Sequence, residues 1–242
     1  MNTEYYNYDT NVTQGKGINM NTYIARTYGW MALGLFVTFA VAYGMYVAGL
    51  ADKIASFGGA AIVALFCIEL ILISVLTHGL HDAGVWATRA RFLMYSAVHG
   101  VIFTVYFLYF DATILMYAFA ATSLLFGGMA AASLIFKLNL DSFGPLLFCG
   151  LFVLLIVTIL RLFFDLRTFD VAICYFGIAI FLGYTAYDTS KIRENYERYS
   201  DMGADVLERA SIYSALELYL DFINMFLQIL RLFSRGGGGS SK

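Results

Sequence analysis

The chain has 242 residues, 60% of them hydrophobic and 13% charged, with one proline and a formal net charge of −2. This excludes an ordinary soluble domain and leaves an α-helical membrane protein, because lipid admits only helices or closed barrels and these apolar runs are continuous rather than alternating. No basic run suggests nucleic acid. The three cysteines, Cys67, Cys149 and Cys174, sit singly in apolar runs and read as small buried hydrophobes rather than disulfides or metal ligands.

Residues 1–22 are polar, rich in Asn, Tyr and Thr, and read as a mobile arm; they lack the basic start and short apolar core of a signal peptide. Apolar runs follow at about 28–50, 57–76, 92–110, 112–136, 144–164, 169–188 and 210–233, which predicts seven membrane helices in one domain over 23–235. The tail Gly236 to Lys242 reads as a linker or tag remnant and is set aside. The longest connection, Thr189 to Arg209, is strongly charged and belongs in water. Gly127-Gly128-Met129-Ala130-Ala131-Ala132 in the fourth span offers a close helix contact.

Lys and Arg set the orientation. With the N-terminus in the cytoplasm, the inner segments hold Lys16, Arg26, Arg89, Arg91, Lys137, Lys191, Arg193, Arg198 and Arg209, nine against the outer three, Lys53, Arg161 and Arg167. Arg231 and Arg235 lie outside if the last helix crosses fully, and inside if it dips in and returns.

That last helix is unlike the others. Glu217, Asp221, Asn224 and Gln228 recur at i, i+4, i+7 and i+11, on one stripe of an otherwise apolar helix. A carboxylate at mid-bilayer costs about 3 kcal/mol on insertion scales. Two in one span cannot face lipid, so this helix is expected at the centre of the bundle with the others wrapped around it. Asn224 and Gln228 read as polar glue between helices, and Asp221 as an ion or proton site.

The sixth span ends Gly183-Tyr184-Thr185-Ala186-Tyr187-Asp188. Asp188 is either a helix-end charge paired with Lys191 or Arg193, or the partner of Asp221. Asp221 lies eleven residues into the next helix, about 16 Å of rise, so contact asks that helix to be short, tilted or re-entrant. Carboxyl groups that meet share a proton or hold a cation, and oxygen ligands alone favour Ca²⁺. Glu69, among Phe66, Ile68, Leu70 and Ile71, calls for a cation from another helix, and Arg231 is a candidate. His78 and His81, with His99 as a third, are zinc-ligand types, though interfacial loop histidines are the simpler reading; His99 beside Gly100 reads as a hydrogen-bonded bundle residue.

Tyr28-Gly29-Trp30-Met31-Ala32-Leu33-Gly34-Leu35, Asp141-Ser142-Phe143-Gly144, and Gly183 to Asp188 followed by Thr189-Ser190-Lys191-Ile192 together resemble the Bax inhibitor family, the transmembrane Bax inhibitor motif proteins, in a bacterial version. The likeness runs from about Ile24 to Phe233. It implies six helices wrapped around a central C-terminal seventh, and a pH-sensitive calcium leak with no enzymatic activity and no cofactor beyond Ca²⁺ as a permeant or bound ion. It implies Asp188 and Asp221 as pH sensor and latch, with Glu69 and Arg231 at the family's other buried charges. One departure stands out: the family's arginine near the inner end of the second helix is missing, and Leu80 and His81 stand in that region, so His78 and His81 are candidate pH modulators. The implied partners are the bilayer, calcium ions and protons. Other readings are a non-transporting regulator of a membrane protease or of a cell-death or stress partner, and an intramembrane aspartyl protease. Against the protease, Asp221 sits in Tyr219-Leu220-Asp221-Phe222 rather than Gly-x-Gly-Asp, and no Pro-Ala-Leu follows.

Overall fold

The computed structural model describes residues 18–56, 84–138, 140–161 and 163–236, with Ile68, Ile71, Ile73 and Ser74. Every regular element among them is helical: α1 (Met20–Val47), the short α2 (Ala51–Ser56), α3 (Val85–Thr104) continued by the single turn α4 (Tyr106–Tyr109), α5 (Ala112–Phe136), α6 (Gly144–Leu160), α7 (Asp170–Tyr199) and α8 (Ala204–Gly236). Most of the second expected span, including Glu69 and Cys67, lies outside the described residues, as do His78 and His81; Ile68, Ile71, Ile73 and Ser74 are helical. Among the described residues the six long helices α1, α3, α5, α6, α7 and α8 fall on six of the expected runs, consistent with the seven expected.

Local chemistry sets the ends. Asn19 caps α1, its side-chain oxygen accepting from Thr22 N at 2.8 Å. Pro145 stands in the first turn of α6, where its missing N–H costs nothing. Lys137 stops α5 in a left-handed conformation, φ 50°. Among the described residues four helices are long and apolar enough to cross a membrane: Met20–Val47, Val85–Tyr109, Ala112–Phe136 and Asp170–Met202; Gly144–Leu160 is apolar but shorter. In α6 only Leu147, Gly150 and Leu154 are buried, one stripe lying on α7, while Phe148, Phe152 and Leu155 stay exposed. Such a surface suits lipid, not water.

Two expectations about the C-terminal third are corrected. The charged stretch Thr189 to Arg209 is not a loop: α7 runs on to Tyr199, a 3₁₀ turn spans Ser200–Met202, and α8 begins at Ala204. Gly203, at φ +100°, makes the reversal, a conformation that suits glycine. Secondly, α8 neither stops short nor turns back. Its 33 residues form one helix, about 50 Å long, antiparallel to α7. Arg235 at its end therefore reaches Asp170 at the start of α7.

Leu207, Ala210, Ile212, Ala215, Leu218, Tyr219, Phe222, Phe226 and Leu230 of α8 are buried, and the helix packs on α1, α3, α5 and α7. Its polar stripe is narrow, so the remaining circumference is free to supply this apolar contact.

The close helix approaches are not where the glycine run suggested. A Cβ on Gly127 or Gly128 would meet nothing within 4 Å among the described residues, and both residues are exposed. A Cβ on Gly100 of α3 would stand 2.6 Å from the Thr38 carbonyl oxygen and 2.8 Å from Val41 Cβ on α1. Backbone cannot rotate aside, so α1 and α3 must separate to admit a methyl group. Gly100→Ala is expected to destabilise by about 1–3 kcal/mol, outweighing the ~1 kcal/mol of helix propensity that alanine adds. Gly127→Ala keeps or raises stability. Thermal unfolding in detergent compares them, and equal melting temperatures would refute the close contact.

Candidate functional site: a carboxyl pair between the last two long helices

Because α7 extends beyond Asp188 by eleven residues, it keeps pace with the first turns of α8. The antiparallel ladder this creates joins Asn195 to Ser214 (3.0 Å), Asp188 to Asp221, Gly177 to Gln228, Cys174 to Arg231, and Asp170 to Arg235. Contact between the two aspartates thus needs no short, tilted or re-entrant helix, only two helices of similar length past the same point. Asp188 is consequently mid-helix and not a helix-end charge.

Asp188 and Asp221 are 8% and 5% exposed, and their carboxyl groups lie close enough for a hydrogen bond between them. A carboxylate has no hydrogen to donate, so such a bond requires one proton on the pair. Asp221 Oδ2 is buried with no hydrogen-bond donor beside it among the described residues. Glu217, one turn earlier on α8, is exposed, and its charge acts on Asp188. The acidic stripe thus runs from an exposed carboxylate to a buried pair.

The cations read from sequence go elsewhere. Lys191 Nζ lies 4.3 Å over the Tyr187 ring, where its charge still acts on Asp188 and Glu217. Arg193 donates to the Leu134 carbonyl at the end of α5, not to Asp188. Hydrogen bonds pin α7 on either side of the pair. Tyr28 Oη of α1 and Thr189 Oγ1 are 2.9 Å apart, and Ser133 Oγ of α5 donates to the Ala186 carbonyl at 2.9 Å. Gly144 lies against the Tyr187 hydroxyl, 2.9 Å from where its Cβ would be. Tyr28, Ser133 and Thr189 are not legible as site residues in the sequence, since a hydroxyl on a helix carries no marker of its partner.

The lower stripe is less like glue than expected. Asn224 Nδ2 donates to Leu220 O of its own helix at 2.8 Å. Gln228 fits the contact reading better: a Cβ on Gly177 would stand 2.8 Å from its Cδ. Arg231 donates to Gln228 Oε1 at 3.5 Å and reaches the Cys174 sulfur; its expected partner Glu69 is outside the described residues. His99 packs among the rings of Tyr95, Phe103 and Tyr219. Among the described residues no three His, Cys, Asp or Glu side chains gather to hold a metal ion.

A second charged cluster escaped the sequence reading. Asp170, 6% exposed, is ion-paired with both Arg161, at the end of α6, and Arg235, in the last turn of α8. It ties three helices at the end of the bundle opposite the aspartate pair. The available signal was a lone acid beginning an apolar span, with arginines at the ends of the neighbouring ones.

A family described as "Inhibitor of apoptosis-promoting Bax1" matches residues 20–238. The inner membrane protein YbhL of Escherichia coli K12 is 31% identical over 214 residues, covering 88% of this chain and 92% of its own. A Deinococcus radiodurans protein is 33% identical over 223 residues, 91% of this chain and 94% of its own. One from Borreliella burgdorferi is 28% identical over 211 residues, 87% and 90% of the two chains.

Proposed function

The chain belongs to the Bax inhibitor-1-like family of membrane proteins, and on that premise we propose that it is a pH-sensitive calcium leak of a bacterial inner membrane, gated where Asp188 meets Asp221. The observation that carries this reading is the buried contact between those carboxyl groups on α7 and α8. A bilayer tolerates buried acids chiefly where they serve an ion or proton path. YbhL is named for the inner membrane, which supports the location.

In this reading α8 is the central post and six helices surround it, which its burial along Leu207 to Leu230 supports. The N-terminus is cytoplasmic. With α8 taken to cross fully, Arg231 and Arg235 join the outer side, and nine inner cations against five still favour that orientation. The pair then stands towards the cytoplasmic side, with Glu217 exposed near it. Ca²⁺ takes roughly six to eight oxygens, more than two aspartates offer. The pair therefore attracts a passing ion and does not lodge it. Protonated, the carboxyl groups bind each other and close the path. Deprotonated, they repel, and α7 and α8 part.

The test is calcium entry into liposomes holding purified protein and a calcium indicator. Flux that rises from about pH 6 to about pH 8 supports the leak. No flux at any pH, or cleavage of a membrane peptide in its place, would overturn it.

A further inference from the structure

Two cavities meet at Arg235, at the end of the bundle opposite the aspartate pair. The first, of 660 Å³, is polar: Arg161, Asp165, Asp170, Arg231, Ser234 and Arg235 line it. The second, of 870 Å³, is apolar and lies between α5, α7 and α8, where Val171, Tyr175, Leu232 and Phe233 face Ile114, Tyr117, Ala121 and Leu124. These four positions of α5 follow i, i+3, i+7 and i+10 and form one helix face. From Ile114 to Leu124 the groove runs about 15 Å, half of a ~30 Å hydrocarbon core.

We propose that this compound site binds one anionic phospholipid, its phosphate beside Arg235 and Arg231 and one acyl chain in the groove along α5. Charge and length both select that occupant. The polar cavity sets Arg161, Arg231 and Arg235 against Asp165 and Asp170, an excess of positive charge. Basic pockets between membrane helices suit anionic head groups, and a groove one leaflet deep suits a single chain. Phe163 and Phe164, both exposed, line the polar cavity beside its arginines and offer apolar surface to the first carbons of a chain. The lipid would bridge α5, α7 and α8, so its head group adds to the tie that Asp170 makes.

Native mass spectrometry of protein released from nanodiscs of equal parts phosphatidylglycerol and phosphatidylcholine, with matched chains, tests this. One phosphatidylglycerol is expected to survive release in preference to phosphatidylcholine. Arg231→Gln, which leaves the Asp170 tie intact, should reduce that retention about fivefold, and Arg235→Gln at least as much. Val171→Trp fills the groove without removing an arginine, and should abolish retention of the bound lipid. Equal retention of the two lipids, or variants that retain lipid as the parent does, would mean an unselective lipid annulus and overturn the site. A thermal shift with glycerol 3-phosphate as large as with phosphatidylglycerol would make it a soluble-anion site and overturn the lipid. None of these readouts depends on calcium flux.

Discussion

Asp221→Ala is expected to leave liposomes permeable to calcium at every pH between about 6 and 8, while Asp188→Asn keeps them closed over the same range. The two variants part because they remove different halves of one device. Asp221, 5% exposed, is the partner through which α8 is held to α7 at this level. Alanine deletes the hydrogen bond and leaves a void beside Asp188, so nothing draws the helices together in acid. Asparagine at 188 keeps a donor for the Asp221 carboxylate and removes one of the two charges, so the repulsion that opens the path never develops. The sign follows from proton counting. The closed pair holds one proton more than the open one, so acid favours closure and its loss on raising pH favours opening. The pair titrates as a unit, with two joint steps. Parent-like, pH-dependent flux in both variants would reduce Asp221 to a packing residue.

Asp170→Ala should give the largest loss of stability at the opposite end. It strands Arg161 and Arg235, whose side chains are 18% and 37% exposed, without their shared acid. Breaking a buried pair from one side typically costs about 3–5 kcal/mol. Since Arg235 keeps some access to water, the lower figure applies. For a chain of this length that corresponds to a fall of roughly 6–12 °C in melting temperature. Adding Arg161→Gln should recover part of it, because one stranded charge is then gone. Strictly additive losses in that double-mutant cycle would show that the two residues are not coupled. Since Asp170 is far along α7 from Asp188, the pH midpoint of flux should hold while stability falls.

Much of this architecture is legible in the chain alone. The periodicity of apolar residues locates the helices, and Ala112–Phe136 coincides with its expected run. The stripe on α8 singles out Glu217 and Asp221 because charge inside an apolar helix is conspicuous against its neighbours. The departures share one origin, a local property read as a tertiary one. Thr189 to Arg209 reads as a connection only if charge ends a helix, yet charged residues are good helix formers outside lipid. Gly127-Gly128 reads as a contact because small residues permit close approach. Permission is local, but approach needs a partner, and the partners chose Gly100, Gly150 and Gly177.

Read along the chain alone are the things each residue carries in its own helix: apolar length, the acidic stripe on α8, and the family likeness from about Ile24 to Phe233. Those are properties of spacing at 3.6 residues per turn, and spacing is written along the chain. The meeting of Asp188 with Asp221, the hold of Asp170 on Arg161 and Arg235, and the seat of Gly100 against Thr38 rather than at a glycine run arise from packing. Each depends on where two distant helices come to rest beside each other. For α7 and α8 that register was set by one turn at Gly203 and by packing along about 45 Å of helix, which no single stretch of sequence contains.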